Sequence, residues 1–420
     1  MKRLVFLIIL LAFIWAGVFL WPEKKDEQKA NWPDFKKFDI VKIQFDQFEL
    51  VKDKDKWRVK EKGQNIRPYA DQTKVDALID FLQVNSPKRF LGSLDKDKVG
   101  EFGLDKPKQL VIYAQEKWSV QVGDKNPSED GVYALSSSYP GELLLMNAAY
   151  ADKVGAGSDT YYELKLLPFD DEQITRVRLL ENNSTRWDVL KKDGEFTFNA
   201  PEEITRYKVS SSEATSLFFE LGSMRAQSLD FKKDQAKLQF TLEVFHRGGE
   251  TPLKIKIFKA KEKYLAQVDQ NKWYFVLDQA QHDNLNKTSF LLKDRSIIHL
   301  DTGQAHKMDL VISGKNVQLY KVNGVWKHKD SDQEVPGMGL YLWRLSDLKY
   351  EQDPKSQLPS TASRIVIWAV KDKQDKDLVK VYFYEDSALP ADRCWVQVAG
   401  QSSYYVVDSS LLEDLKTKVE

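Results

Sequence analysis

The sequence predicts an α+β protein, in which an N-terminal transmembrane helix is followed by three tandem repeats of a mostly antiparallel sheet with one covering helix. Three observations predict it. An unbroken apolar run opens the chain, an aromatic-marked pattern recurs three times, and each copy sets helical 3–4 spacing beside strand-like alternation.

The run from Leu4 to Trp21 holds 18 residues, all apolar if Gly17 is counted, behind Lys2 and Arg3. At about 1.5 Å per residue it reaches roughly 27 Å, close to a bilayer core. A cleaved secretory signal is the competing reading. The end of the run, AGVFLWPEKK, offers no small-x-small cleavage site, and no cysteine is there to take a lipid. The expectation is therefore an uncleaved anchor over 1–22. Lys2 and Arg3 would keep the N-terminus cytoplasmic, although Lys24 and Lys25 weaken the asymmetry.

A charged, proline-containing spacer over 23–33 follows, and the remaining body is too long for one ordinary core. Lysines plus arginines equal aspartates plus glutamates, 63 against 63, so no overall field attracts nucleic acid. Cys394, the single cysteine, has no partner for an intrachain disulfide.

Modules are expected over 34–165, 166–299 and 300–420, restarting at Phe38-Asp39, Phe169-Asp170 and Leu300-Asp301. Each holds a tryptophan in a strand-like stretch, Trp57, Trp187 and Trp326, and later an aromatic-led strand at Tyr133, Tyr264 and Trp395. The separations are 76, 77 and 69 residues. These six landmarks read as structural, filling the cores, with an exposed aromatic row as the functional alternative.

Between the landmarks, Val75, Leu78, Ile79 and Leu82 fall on one helical face, capped by Asp71 or Thr73. Ala214, Leu217, Phe218 and Leu221 repeat the spacing, capped near Ser212 and stopped by Gly222. Tyr341, Leu345 and Leu348 do so less regularly. Strands follow each helix, and alternation is clearest in Leu253–Phe258. Each module reads as two strands, a helix, about four strands and a short closing helix.

The Trp57 strand, FGLDKP at 102–107, and VGD at 122–124 leading to Tyr133 resemble the bacterial envelope family of domain of unknown function 4340. YYELKLLPFD (161–170) and SFLLKDRSIIHLD (289–301) resemble that family's links between modules. The family is often encoded beside gliding-type ABC transporter subunits. The resemblance implies a single-pass protein of the bacterial inner membrane with a periplasmic body, and an ABC transporter permease or another envelope protein as partner. It transfers no catalytic residue and no cofactor.

Local motifs add little chemistry. Asp124, Asn126, Ser128 and Asp130 place oxygens at alternate positions as a calcium loop does, but Glu129 and Leu135 stand where an EF-hand needs glycine and glutamate. A polar hairpin loop, turned by Pro127 and Gly131, is the plainer reading, and no metal is expected. The five histidines lack HxH or HExxH spacing, and no GxSxG elbow or phosphate loop occurs. The Asp170-Asp171-Glu172 cluster has Asp39 and Asp301 as counterparts of Asp170, which favours a shared turn or cap.

The expected function is a non-enzymatic, membrane-anchored periplasmic scaffold or accessory subunit of an envelope ABC-type transport complex. The alternative is a periplasmic binding module for peptidoglycan, polysaccharide or lipid, using grooves between modules. FGLDKP itself reads as a turn into a strand, since KKDQAKLQF and LPSTASRIVIW reach the corresponding strands without its glycine.

Overall fold

A computed structural model describes residues 32–419 apart from Phe38, Asp234 and Ser313. The described strands form three antiparallel sheets of eight, eight and seven strands.

The first sheet contains β1 (Lys42–Phe45), β2 (Phe48–Asp53), β3 (Lys56–Glu61), β4 (Arg89–Ser93), β5 (Lys108–Tyr113), β6 (Lys117–Lys125), β7 (Gly131–Ser136) and β8 (Tyr139–Asn147). Their order is β3-β2-β1-β5-β6-β7-β8-β4. Helix α1 (Gln72–Val84) lies between β3 and β4 in the chain, and α2 (Ala149–Val154) follows β8. Val75, Leu78, Ile79 and Leu82 of α1 share one core with Ile43, Leu50 and Ile112 of the sheet. Burying each such side chain stabilises the fold by about 1.5–3 kcal/mol, which outweighs the modest helix propensity of Val75 and Ile79. Asp71 starts the helix by accepting from the amides of Thr73 and Lys74 at 3.0 and 3.3 Å.

The same order of elements returns twice along the chain. The second set is β9 (Ile174–Glu181), β10 (Ser184–Lys192), β11 (Glu195–Ala200), α3 (Glu202–Thr205), α4 (Ser211–Ser223), β12 (Ser228–Asp230), β13 (Lys237–His246), β14 (Leu253–Ala260), β15 (Lys263–Val268), β16 (Tyr274–Leu277), α5 (Gln279–Leu285) and α6 (Ser289–Leu292). The third is β17 (Lys307–Ile312), β18 (Lys315–Val322), β19 (Val325–His328), α7 (Met338–Ser346), β20 (Ser363–Lys371), β21 (Asp377–Glu385), β22 (Arg393–Val398), β23 (Tyr405–Asp408) and α8 (Ser410–Val419). Its sheet runs β19-β18-β17-β20-β21-β22-β23, the order of the first sheet without the last edge strand.

Two compact units divide the chain. One extends to Thr185 and includes Leu217–Asn286; the other comprises Arg186–Ser216 and the chain from Lys287 on. Within the first unit lies the run β9-β13-β14-β15-β16-β12, and the β10-β11 hairpin falls almost wholly in the second.

The expected fold class needs correction. Among the described residues no helix is long and apolar enough to cross a membrane. The longest of these, α1 and α4, have 13 residues and reach about 20 Å, short of the roughly 30 Å a span needs. The predicted anchor, Leu4–Trp21, lies outside the described residues. What is described is mostly antiparallel sheet with several short helices per repeat, rather than one covering helix each. The expected pair of opening strands is also a three-strand meander. Two-residue turns at Lys54-Asp55, Asp193-Gly194 and Asn323-Gly324 split what reads as one strand, each beginning at positive φ.

Candidate functional site

Successive sheets are joined by the same arrangement of backbone, seen once in each unit. In the first, the amide of Asp71 donates to Tyr161 and that of Glu163 to Tyr69, at 2.8 and 2.9 Å. On the other side of the same linker, Leu166 donates to Met224 and Ala226 to Leu164, at 3.1 and 2.8 Å. In the second, Ser210 donates to Leu292 and Asp294 to Lys208, while Ile297 donates to Leu348 and Tyr350 to Arg295, at 2.8–3.1 Å. Each linker is thus an extended segment bonded on one side to residues just before the long helix of one repeat (α1, then α4), and on the other to residues just after the corresponding helix of the following repeat (α4, then α7). A linker so held has few free dihedrals within its own joint.

Side chains differentiate the joints. In the first, Arg225 meets Asp71 at 2.9 Å and Glu163 at 3.6 Å, and Tyr162 lies edge-on to Phe231 at 5.8 Å. In the second the linker is cationic and nearly buried. Lys293 sits 3.9 Å above the ring of Tyr207 and Arg295 donates to the carbonyl of Tyr350 at 3.1 Å.

Beside the first joint an open cleft of about 510 Å³ is lined by Trp57, Tyr69, Leu167, Trp273 and Phe275, among others. It adjoins a second, more polar cleft of about 600 Å³ lined by Arg58, Asn65, Arg67, Gln270 and Lys272. Tyr69, Asn271 and Trp273 border both. Tyr69 stands edge-on to Trp273, with ring centroids 6.0 Å apart at 83°. Arg58, which itself lines the second cleft, fixes Tyr69: its guanidinium lies over the ring at 4.2 Å, donates to the hydroxyl at 3.2 Å, and is tied to Asp53 at 2.8 Å. Trp273 is carried by the β15–β16 loop, which is braced where Lys254 donates to the Asp269 carboxylate at 2.9 Å.

The landmark residues fall elsewhere. Trp57, Trp187 and Trp326 are 2, 0 and 4 % exposed, and only Trp57 touches the cleft. The Trp187 indole donates to the carbonyl of Lys287 at 2.7 Å, and that of Trp395 to Asp386 at 3.0 Å. Tyr264 is stacked on His282 at 3.8 Å, and Tyr133 packs against Phe102 at 4.8 Å.

The oxygens considered for calcium bond to one another. Asn126 donates to Ser128 and Asp130 at 2.9 and 2.7 Å, and Ser128 donates to Asp130 at 2.6 Å. These two donors hold the Asp130 carboxyl below its usual range. Asp124 instead faces Gly103. Among the described residues no group of three or more His, Cys, Asp or Glu side chains is placed to hold a metal. Asp170 pairs with Lys165 at 2.5 Å, and Asp301 accepts the amide of Gly303 at 2.9 Å, so these carboxylates serve local turns. Cys394 is buried, and burial pushes its thiol up to about 12.

Sequence reasoning missed Tyr69, Arg58 and Trp273 as a group. Trp273 stands inside one of the aromatic stretches, but the counterpart strand of the third repeat, ending in Asp408, has Ser403 at that place. A tryptophan present in one copy only was the available signal.

Fold and joints together define a class, a tandem array of antiparallel-sheet modules linked by hydrogen-bonded strands. Residues 57–243 match the family described as Domain of unknown function (DUF4340), which agrees with the resemblance carried by the Trp57 strand, FGLDKP and VGD. No curated protein matches the chain.

Proposed function

We propose that the protein acts in the periplasm as a non-enzymatic scaffold or accessory subunit of an envelope ABC-type transport complex. The observation that supports this reading is on α7. Met338, Leu342 and Leu345 pack into the third core, while Leu340 and Trp343, one turn apart on the outer side, are each 58 % exposed. Covering this pair with a partner would gain the transfer free energy that exposure forgoes, and tryptophan is among the residues that contribute most to protein–protein contact energies. Arg344, joined to Asp414 at 2.6 Å and to Ser410 at 3.1 Å, braces that helix against α8.

The test places a photo-cross-linking residue at Trp343 in cells, with the same residue at exposed Lys373 as control, followed by mild-detergent purification. The expected result is a near-stoichiometric adduct with a membrane permease, lost in Leu340→Ser. Recovery of the protein alone, or equal adducts at both positions, would sink the reading.

A second reading, a binding module for envelope polysaccharide, is favoured by the aromatic cleft beside the first joint. It uses different residues and can hold with or without the first.

A further inference from the structure

The geometry points to the cleft at the first joint as a binding site for an anionic polysaccharide. Sugar rings lie against Tyr69 and Trp273, and carboxylate or phosphate groups meet Lys56, Arg67 and Lys272. This assignment rests on the polysaccharide reading above and is independent of the docking helix.

Charge is the first argument. Lys56, Arg67 and Lys272 are exposed, line the two adjoining clefts, and make no ion pair among the described residues. Two of the acidic groups nearby are paired with cations, Asp53 with Arg58 at 2.8 Å and Glu163 with Arg225 at 3.6 Å, while Asp269 accepts only the neutral amide of Lys254 at 2.9 Å. Asp55 and Asp269 are the lining carboxylates without an ion pair among the described residues. Three unpaired cations against two unpaired carboxylates leave a local excess of positive charge facing open space.

The second argument is the mixture of surfaces. Half-buried Tyr69, backed at its edge by Trp273, which is only 7 % exposed, offers a firm aromatic surface, since Arg58 and the braced loop hold both rings in place. Around them the side-chain amides of Asn65, Gln270 and Asn271 make no hydrogen bond among the described residues, which leaves donors and acceptors for hydroxyl groups. A pyranose has an apolar face and a polar rim, and matches this pattern. The cleft volume is in the range of small-ligand sites.

Other occupants fit less well. An extended peptide would add to a sheet edge, but the β3 edge is already covered, with the amide of Val59 donating to Pro68 and that of Ala70 to Trp57, both at 2.9 Å. A lipid tail needs continuous apolar walls, and the second cleft is polar and charged.

The test titrates the purified full chain at low salt, by tryptophan fluorescence and calorimetry, with three probes: a hexamer of galacturonate, maltohexaose and hexaglutamate. The galacturonate hexamer should bind at least tenfold more tightly than either other probe, and added salt should weaken it. Arg67→Glu with Lys272→Glu, both at exposed positions, should weaken binding tenfold or more with an unchanged melting temperature, and Tyr69→Ala should weaken it several-fold. Equal binding of hexaglutamate would overturn the saccharide assignment in favour of an acidic peptide. Equal binding of maltohexaose, untouched by the double variant, would overturn the anionic assignment while keeping the polysaccharide reading. No binding of either saccharide would overturn both.

Discussion

The carbonyl oxygen of Phe102 faces the α-carbon of Gly123 so closely that a Cβ on Gly123 would stand 2.1 Å from it. The FGLDKP turn therefore rests directly on the VGD bulge. Gly103, at φ +65°, presents its own bare α-carbon to the Asp124 carboxylate, where a Cβ would lie 2.4 Å from Cγ. The pairing of β6 with β7 shifts register between Val122 and Lys125, and this bulge tilts the strand to admit the turn. The two short motifs that carry the family resemblance are one packing contact, which explains why both need glycine.

It follows that Gly123→Ala should lower stability by about 1–3 kcal/mol, the usual cost of overpacking, because backbone rather than a flexible side chain must yield. Gly100→Ala, where nothing lies within 4 Å and φ is ordinary, should be neutral or slightly stabilising. Chemical unfolding of the two variants checks this; equal losses would refute the contact.

At the first joint, Asp71 both caps α1 and receives Arg225 at 2.9 Å. Its side chain is largely buried while that of Arg225 is half exposed, so the effects should be unequal. Asp71→Ala is expected to cost about 1–2 kcal/mol, mainly as a lost cap, and Arg225→Met less than about 1 kcal/mol. A double-mutant cycle should give a coupling of about 0.5 kcal/mol or more, and zero coupling would mean the pair does not hold the joint.

Part of this was legible in the sequence. The apolar positions Val75, Leu78, Ile79 and Leu82, and Ala214, Leu217, Phe218 and Leu221, are all buried where helical spacing puts them. In the third copy Leu348 is buried beyond the helix end at Ser346, so its spacing did not mark a helical face. The β2–β3 turn at Lys54-Asp55 was hidden because it contains no glycine, proline or asparagine, and its charges look like any solvated stretch. The cleft was hidden for another reason. Tyr69 and Trp273 are about 200 residues apart in different repeats, and only the joint, a pattern of backbone hydrogen bonds without a side-chain signature, brings them together.

The Cys394 thiol has its pKa raised from 9.0 to about 12, chiefly by burial. The raised value means the folded state favours the protonated thiol. That contribution is intact below pH 9 and is lost as pH rises from 9 towards 12. At pH 8 a disulfide reagent should leave the native chain unmodified and titrate one thiol after denaturation. Rapid native labelling would contradict the burial of this strand.

In the second joint Arg295 occupies the place that Leu164 holds in the first, since each carbonyl accepts the matching amide, from Tyr350 and Ala226. The Arg295 guanidinium is nearly buried, yet its Nε has no hydrogen-bond partner among the described residues, and Glu351 stands 3.9 Å away with its carboxylate well exposed. Desolvation of this cation is therefore poorly offset. Lys293, two residues earlier and also nearly buried, adds like charge. Arg295→Met keeps the contact with Phe290, removes the orphan donor and leaves Glu351 in water. The expected change is within about 1 kcal/mol of zero or stabilising, whereas Arg295→Ala should lose about 1–3 kcal/mol through lost packing. Chemical unfolding of both variants decides it: a loss of several kcal/mol in Arg295→Met would show that the charge itself holds the joint.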